Sequence, residues 1–180
     1  MDELFLLPPC PVAMPRAYWL EQPFLSSQIV LIQPSADEFA RVKEAIDTAK
    51  GGDFDMEIVN NLYSKDCMIL PHRRYDLLTG EFRSKGLHTN YIGNTYERWD
   101  PEVMLKEAKF LHFSDWPMPK PWLPADEATK TKTQPDCETD SNGNEDCRAR
   151  DIWLGFYSDF KQRRKVSPIC QSLPSVYLLT

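Results

Sequence analysis

The sequence predicts an α/β fold, because short apolar runs typical of strands alternate along the chain with segments of helical periodicity. Residues 27–33 (S-Q-I-V-L-I-Q) and 67–70 (C-M-I-L) are two such runs, and a proline follows each. The first is apolar on successive residues, which is typical of a strand buried on both faces of a sheet. Between and after these runs, apolar residues recur every three or four positions, as in amphipathic helices. We therefore expect a small sheet with flanking helices.

The first 23 residues are rich in proline and predict an irregular segment, in which Leu4 to Leu7 are expected to be buried. After the first strand, Ser35 and Glu38 have the spacing of a capping box at a helix start. The predicted helix ends at the glycine pair 51–52. Its apolar face is formed by Phe39, Val42, Ile46 and Ala49.

Asp53-Phe54-Asp55 has the spacing of a metal-binding D-x-D motif, but it lies between the glycine pair and a helical pattern. A metal-binding D-x-D places both carboxylates on one face at the end of a strand, so we interpret this one as a decoy. Asp53 or Asp55 is instead expected to cap the helix that follows.

Two further helices and one strand complete the predicted elements. Asp100 before Pro101 predicts a helix start, with an N-cap and a proline in the first turn. Residues 109–113 alternate around His112 like a short buried strand. Residues 151–165 predict an amphipathic helix, and one face carries Ile152, Trp153, Phe156, Tyr157 and Phe160.

The composition argues against several classes of protein. A chain of 180 residues is long enough for one domain with a core. The formal net charge of −6 and the lack of a basic stripe argue against nucleic acid as a partner. No apolar stretch approaches about 18 residues, so no membrane span is predicted, and no basic region of a signal peptide opens the chain. The five cysteines contain no C-x-x-C pair, which argues against a zinc site.

The side chains best suited to chemistry lie in residues 109–122, K-F-L-H-F-S-D-W-P-M-P-K-P-W. Three prolines end the strand near Phe113, so a stiff loop is expected to present His112, Ser114, Asp115 and Lys120 at its mouth. An imidazole can ligate a Mn²⁺-type ion, and a lysine can neutralise phosphate oxygens. The alternative is that His112 is a satisfied core histidine and Lys120 a solvated lysine.

These stretches resemble the family 8 glycosyltransferases, the glycogenin-like enzymes. The resemblance rests on H-F-S-D-W-P-M-P-K-P-W (112–122), F-D-M-E-I-V-N (54–60) and D-I-W-L-G-F-Y (151–157), and it is closest to fungal members that look like N-acetylglucosaminyltransferases. It implies the C-terminal half of a GT-A (nucleotide-diphospho-sugar transferase) domain, with an incomplete mixed sheet and flanking helices. The loop from His112 to Lys120 is two residues longer than in glycogenin, and Ser114 or Asp115 replaces the family's glycine.

The resemblance implies roles for four residues. His112 would ligate Mn²⁺, and Lys120 would contact the diphosphate of the donor. Ser27 is the serine retained from the family's N-S-G turn and would bind the donor. Asp55 matches an aspartate that lies near the transferred sugar in the family, so a catalytic interpretation stands beside the helix-cap interpretation.

The resemblance also implies how the chain is organised. Residues 1–123 would be the C-terminal part of a glycosyltransferase domain, 124–150 a polar flexible insertion, and 151–180 a C-terminal amphipathic helix and tail. In the family, a segment similar to D-E-L-F (2–5) directly follows the strand and turn that bear the D-x-D motif. We therefore expect the sequence to be truncated before that motif and, alone, to be inactive and marginally folded.

The activity implied is a retaining transfer of a sugar, GlcNAc by analogy, from a UDP-sugar to a glycan or protein acceptor. The resemblance implies the Golgi lumen for the full-length protein, and in that oxidising compartment we expect Cys137 and Cys147 to pair. The alternatives are two free thiols, or pairing of either cysteine with Cys170. The alternative hypothesis is a non-catalytic remnant that binds a sugar or a protein through aromatic residues of the segment 79–99: His88, Tyr91, Tyr96 and Trp99.

Overall fold

The computed structural model describes residues 1–139 and 142–166, which form two compact units. The first unit consists of Met1–Leu77 and Gly86–His112, and the second of Leu78–Lys85 and the described residues from Phe113 onward. The described architecture is mixed α/β, with small sheets and short helices, as the strand and helix patterns predict. No described helix has both the length and the apolar content that crossing a bilayer requires.

The first unit is built around β1 (Val12–Pro15), the central strand of a three-stranded sheet. β1 is antiparallel to β2 (Leu31–Ile32) and parallel to β3 (Met68–Leu70), and its four side chains are all buried. Since successive side chains of a strand point to opposite faces, β1 contributes to two hydrophobic clusters. The clusters contain Leu4, Ala13, Leu70 and Tyr75 in one case, and Val12, Met14, Leu25 and Tyr63 in the other.

Two helices of the first unit begin where local sequence signals place them. α1 (Ala36–Asp47) starts after Ser35, whose Oγ accepts a hydrogen bond from the Glu38 N–H at 3.4 Å. A later helix, Pro101–Glu107, starts after Asp100. The Oδ1 atom of Asp100 accepts from the N–H groups of Glu102 and Val103, at 3.0 and 3.1 Å. Both predicted starts are confirmed, because capping depends on residues close in sequence.

The remaining elements of this unit are short. A 3₁₀ helix covers Asp2–Leu6, and β4 (Leu77–Leu78) pairs with β5 (Leu111–His112) in a two-stranded sheet. The other helices are α2 (Asp55–Tyr63), α3 (His72–Tyr75), α4 (Thr89–Ile92) and α5, the helix Pro101–Glu107.

The second unit contains a 3₁₀ helix (Thr79–Arg83), a proline-rich loop, α6 (Glu127–Thr133), a hairpin and α7 (Arg148–Val166). The hairpin pairs β6 (Glu138–Thr139) with β7 (Glu145–Asp146). A disulfide between Cys137 and Cys147 closes its base, which confirms the predicted pair. Trp153 and Tyr157 are buried, which confirms the apolar face predicted for the last helix. Cys170 lies outside the described residues.

Three structural expectations are wrong, each because tertiary pairing outweighs local pattern. The run 27–33 contributes only β2, which lies at the edge of the described sheet, and Ile32 in it is 60% exposed. The buried central strand is instead β1. Because residues 11 and 15 are prolines, the sequence predicts an irregular segment there. Of the residues Leu4 to Leu7, which the sequence predicts to be buried, Leu4 is buried, whereas Phe5 and Leu6 are 79% and 85% exposed.

The polar segment 124–150 contains α6 and the disulfide-closed hairpin, within the residues that the structure describes. Its apolar content is low, so a disulfide takes the place of a core in holding the hairpin together. The domain boundaries at residues 123 and 150 stay a prediction.

Candidate functional site

His112 ends β5, and the strand is held in place by contacts upstream of it. The N–H groups of Lys109 and Phe110 both donate to the Arg74 carbonyl, at 2.7 and 3.2 Å. Lys109 also forms an ion pair with Glu3, which accepts from the Tyr75 hydroxyl at 2.7 Å. The hydrogen bonds from Lys109 and Tyr75 lower the pKa of Glu3 to about 2. His112 itself is half-buried at the end of β5, which covers only Leu111–His112 of the short buried strand predicted over residues 109–113.

The described residues do not fit a complete metal centre. Within 1–139 and 142–166, no group of three or more His, Cys, Asp or Glu side chains is placed to hold a metal ion. A Mn²⁺ ion prefers several oxygen and nitrogen ligands, so His112 would need carboxylates from elsewhere.

Lys120 lies in the loop that follows β5, within the second unit. The side chain is half-buried, and its ammonium donates to the carbonyl of Phe113. The main chain turns at the same place, since the Leu123 N–H donates to the Lys120 carbonyl at 2.9 Å. Lys120 is therefore not the fully solvated lysine of the alternative interpretation, and the strand does end before Phe113 as expected.

Asp115 is not at the mouth of the loop, which corrects the expectation from sequence. Its side chain is fully buried, and its carboxylate accepts hydrogen bonds from Thr79 and from the Tyr157 hydroxyl, the latter at 2.9 Å. Arg83 forms an ion pair with it at 3.5 Å. These partners are 32 to 42 residues away in sequence, so no local pattern could reveal them.

Ser27, in the turn before β2, is half-buried, and a side chain that sequence reasoning overlooked fixes the chain beside it. The buried amide of Asn60 accepts from the Leu25 N–H at 2.7 Å and donates to the Leu25 carbonyl at 2.8 Å. Asn60 thereby joins α2 to the chain just before the turn. A polar residue on the apolar face of a predicted helix was the available signal.

Asp55 is the first residue of α2 and is exposed. The predicted cap is wrong, because Phe54 holds the N-cap position and the Glu57 carboxylate accepts its N–H at 3.0 Å. Asp53 instead accepts from the Lys50 N–H at 2.9 Å. Neither carboxylate follows a strand, in agreement with the decoy interpretation. Asp55 is thus free of a capping role, and its catalytic role stays a prediction.

The aromatic residues of segment 79–99 mostly form a small core rather than an open platform. Tyr91 is buried and contacts the rings of Tyr18, His72 and Trp99. His88 stacks on Trp99 with 4.1 Å between ring centroids. Only Tyr96, at 88% exposed, is open among the four aromatic residues named from the sequence. This packing weakens the alternative of a binding module that uses these rings.

Three of the four predicted site residues, Ser27, Asp55 and His112, thus belong to the first unit, and Lys120 belongs to the second. The protein is thus a mixed α/β protein in which the buried Asp115 carboxylate anchors the loop that carries Lys120.

Comparison with known proteins gives the chain close relatives among fungi. It is 54% identical over 178 residues to the glucose N-acetyltransferase 1 of Gibberella zeae and 43% identical over 191 aligned residues to that of Aspergillus fumigatus. These alignments cover 96% and 98% of this chain, but only 38% and 50% of the relatives. The glucose N-acetyltransferase 1-B of Kluyveromyces lactis is 33% identical over 118 residues, covering 63% of this chain and 23% of that relative.

No family model and no solved structure matches the chain.

Proposed function

We propose that this chain is part of a UDP-sugar-dependent glycosyltransferase that transfers GlcNAc to a glycan or glycoprotein acceptor with retention of configuration. The observation that carries the proposal is the 54% identity, over nearly the whole chain, to a protein named glucose N-acetyltransferase 1. The resemblance of residues 112–122 to family 8 enzymes of GT-A fold supports a UDP-sugar as the donor. The GT-A placement is part of the same proposal.

In this proposal the loop after β5 acts on the donor's diphosphate. Transfer of a sugar leaves negative charge on the departing diphosphate, and an ammonium held nearby stabilises that charge. Lys120 is half-buried, and its ammonium donates to the Phe113 carbonyl, which holds the side chain against the loop. Ser27 would contact the donor, and Asp55 the transferred sugar.

Mn²⁺ is the proposed cofactor, with His112 as one ligand. The described residues supply no set of three ligands, so the proposal needs carboxylates from sequence outside this chain. The relatives are long enough to provide them, since this chain spans 38% and 50% of their lengths. We propose that the D-x-D motif lies in that additional part and that residues 1–180 alone are inactive.

The proposed location of the complete protein is the Golgi lumen. The Cys137–Cys147 disulfide supports this, because such bonds persist in oxidising compartments.

The proposal is tested by preparing a longer polypeptide that covers the relatives' full length and measuring transfer with Mn²⁺ and UDP-GlcNAc. His112→Ala should abolish Mn²⁺-dependent turnover with little loss of folding. Lys120→Ala should lower the turnover rate more than donor binding, because the lysine acts on developing charge. Lys132→Ala, an exposed lysine of the same unit, is the matched control and should leave turnover unchanged.

Three results would contradict the proposal. Wild-type turnover in both the His112 and the Lys120 variants would refute the site assignment. Acetyl transfer from acetyl-coenzyme A, without any use of UDP-sugars, would refute the reaction class. Sugar binding without turnover in the longer polypeptide would favour the non-catalytic alternative.

A further inference from the structure

The loop of residues 113–122 is anchored by the carboxylate of Asp115, whose side chain has no exposed surface. Thr79 and Tyr157 both donate to Oδ2, and an Arg83 nitrogen lies 3.5 Å from Oδ1. These donors come from the 3₁₀ helix Thr79–Arg83 and from α7. A buried carboxylate is costly unless it is paired and hydrogen-bonded, so loss of any donor should loosen the loop.

A second tie lies at the neighbouring residue. The Ser114 N–H donates to the Thr79 hydroxyl at 2.9 Å, and that hydroxyl in turn donates a hydrogen bond to the Asp115 carboxylate. The Ser114 hydroxyl accepts from the Gly80 N–H at 3.0 Å. A Cβ at Gly80 would lie 3.0 Å from this hydroxyl oxygen, so a larger residue there would require the Ser114 side chain to shift by a few tenths of an ångström. Two consecutive loop residues are thus fixed to one short helix.

From Asp115 the anchoring continues to Lys120 through the loop's own bonds. The Met118 N–H donates to the Asp115 carbonyl at 2.7 Å. The Lys120 ammonium donates to the Phe113 carbonyl, and the Phe113 ring packs on Tyr157 with 5.1 Å between centroids. Both the turn that leads to Lys120 and the carbonyl that holds its ammonium therefore depend on residues in contact with Tyr157.

The charge of the buried carboxylate is balanced within this cluster. The negative charge of Asp115 is paired with Arg83 inside the unit. Burial, with the charge of Asp115 next in importance, raises the pKa of Tyr157, so its hydroxyl keeps the proton that it donates. The cluster reaches Lys120 through the hydrogen bonds and the ring contact described above.

We propose that Asp115 and Tyr157 are positioning residues that hold Lys120 in place for the diphosphate of the donor. This inference rests on the proposed function and adds to it two residues that do not themselves touch the donor. Small displacements of a group that stabilises developing charge lower the rate strongly, even when ligand binding changes little.

Tyr157→Phe in the longer polypeptide tests the inference, because it removes one hydroxyl and keeps the ring packed on Phe113 and Trp153. With Mn²⁺ and UDP-GlcNAc, kcat should fall about tenfold to a hundredfold while the donor KM changes by less than about twofold. Combined with Lys120→Ala, the change should cause no further loss, because both act through the same group. Ser158→Ala, which removes an exposed hydroxyl from the same helix, is the matched control and should have no effect.

Amide hydrogen exchange gives a readout that does not need activity. In the 180-residue chain, Tyr157→Phe should speed exchange at Trp116, Met118, Lys120 and Trp122, the loop residues that alternate with prolines, and Ser158→Ala should not. Unchanged exchange there, or kinetic losses that multiply in the double variant, would overturn the inference. If turnover depends on Lys120 but is unchanged by Tyr157→Phe, this inference is overturned and the proposed site is not. Wild-type turnover in Lys120→Ala would overturn the proposed site as well.

Discussion

At the scale of single residues, Asp76 is an ionisable side chain in an environment that disfavours its charged form. It lies wholly inside the first unit, and neither carboxylate oxygen has a hydrogen-bond partner among the described residues. Burial raises the pKa of Asp76 from 3.8 to about 7, and the Ser26 hydroxyl offsets part of that rise.

This shift predicts a pH-dependent stability. Between about pH 4 and pH 7, Asp76 is ionised in the unfolded chain but keeps its proton in the folded one. The folded state then binds more protons, so the free energy of unfolding falls as pH rises, by up to about 1.4 kcal/mol per pH unit from this group. The stabilisation is complete below the unfolded pKa and is lost as pH rises through the folded pKa near 7.

Asp76→Asn should remove this dependence, and urea unfolding at pH 4, 5.5, 7 and 8 measures it. The variant should gain stability relative to wild type as pH rises, and the difference should level off above about pH 7. Asp66→Asn, at an exposed aspartate of the same unit, is the control and should run parallel to wild type. An Asp76→Asn profile parallel to wild type would show that the carboxyl is not buried as described.

At the scale of elements, the hairpin β6–β7 depends on its disulfide. The strands are two residues long and largely exposed, so apolar burial contributes little. Replacing both Cys137 and Cys147 by serine should lower the free energy of unfolding by about 2–3 kcal/mol, in the loop-entropy view of disulfides. Urea unfolding checks the loss, and Cys10→Ser, at a thiol that is free in the structure, is the control.

Peptide mapping without reductant tests the same element directly. A linked peptide pair containing Cys137 and Cys147 is expected, with Cys10 and Cys67 alkylated as free thiols. Free thiols at both hairpin positions would remove the stabilising role and, with it, one support for an oxidising compartment.

Elements whose signals are local were predictable from sequence. Ser35 and Asp100 mark helix starts because a cap bonds to N–H groups two or three residues away. By contrast, β1 lies between prolines, and only its pairing with β2 and β3 identifies it as the central strand. The burial of Asp115 also depends on partners far along the chain. Sequence therefore located the loop but not the contacts that hold it.

At the scale of the whole molecule, the first unit exposes an apolar groove of about 480 Å³ beside its edge strand β2. Ile32 and Phe39 line it and are largely exposed. Edge strands and apolar patches left uncovered favour self-association. We therefore predict that residues 1–180 alone associate as concentration rises, as measured by light scattering after size-exclusion chromatography.

A pair of variants separates this cause from general instability. Phe39→Lys should shift the chain towards monomer, because it places charge in the groove, whereas Ala40→Lys on an exposed neighbouring position should not. A wild-type chain that stays monomeric at every concentration would contradict the prediction.

The central claim is that this chain supplies one part of a UDP-sugar glycosyltransferase whose remaining part holds the metal-binding carboxylates. The most direct measurement compares purified 1–180 with the longer polypeptide, each with Mn²⁺ and a panel of UDP-sugars. The account predicts Mn²⁺-dependent turnover of UDP-GlcNAc by the longer polypeptide and none by 1–180. Mn²⁺-dependent hydrolysis by monomeric, cooperatively unfolding 1–180 would contradict it and would return Asp53 and Asp55 to consideration as metal ligands.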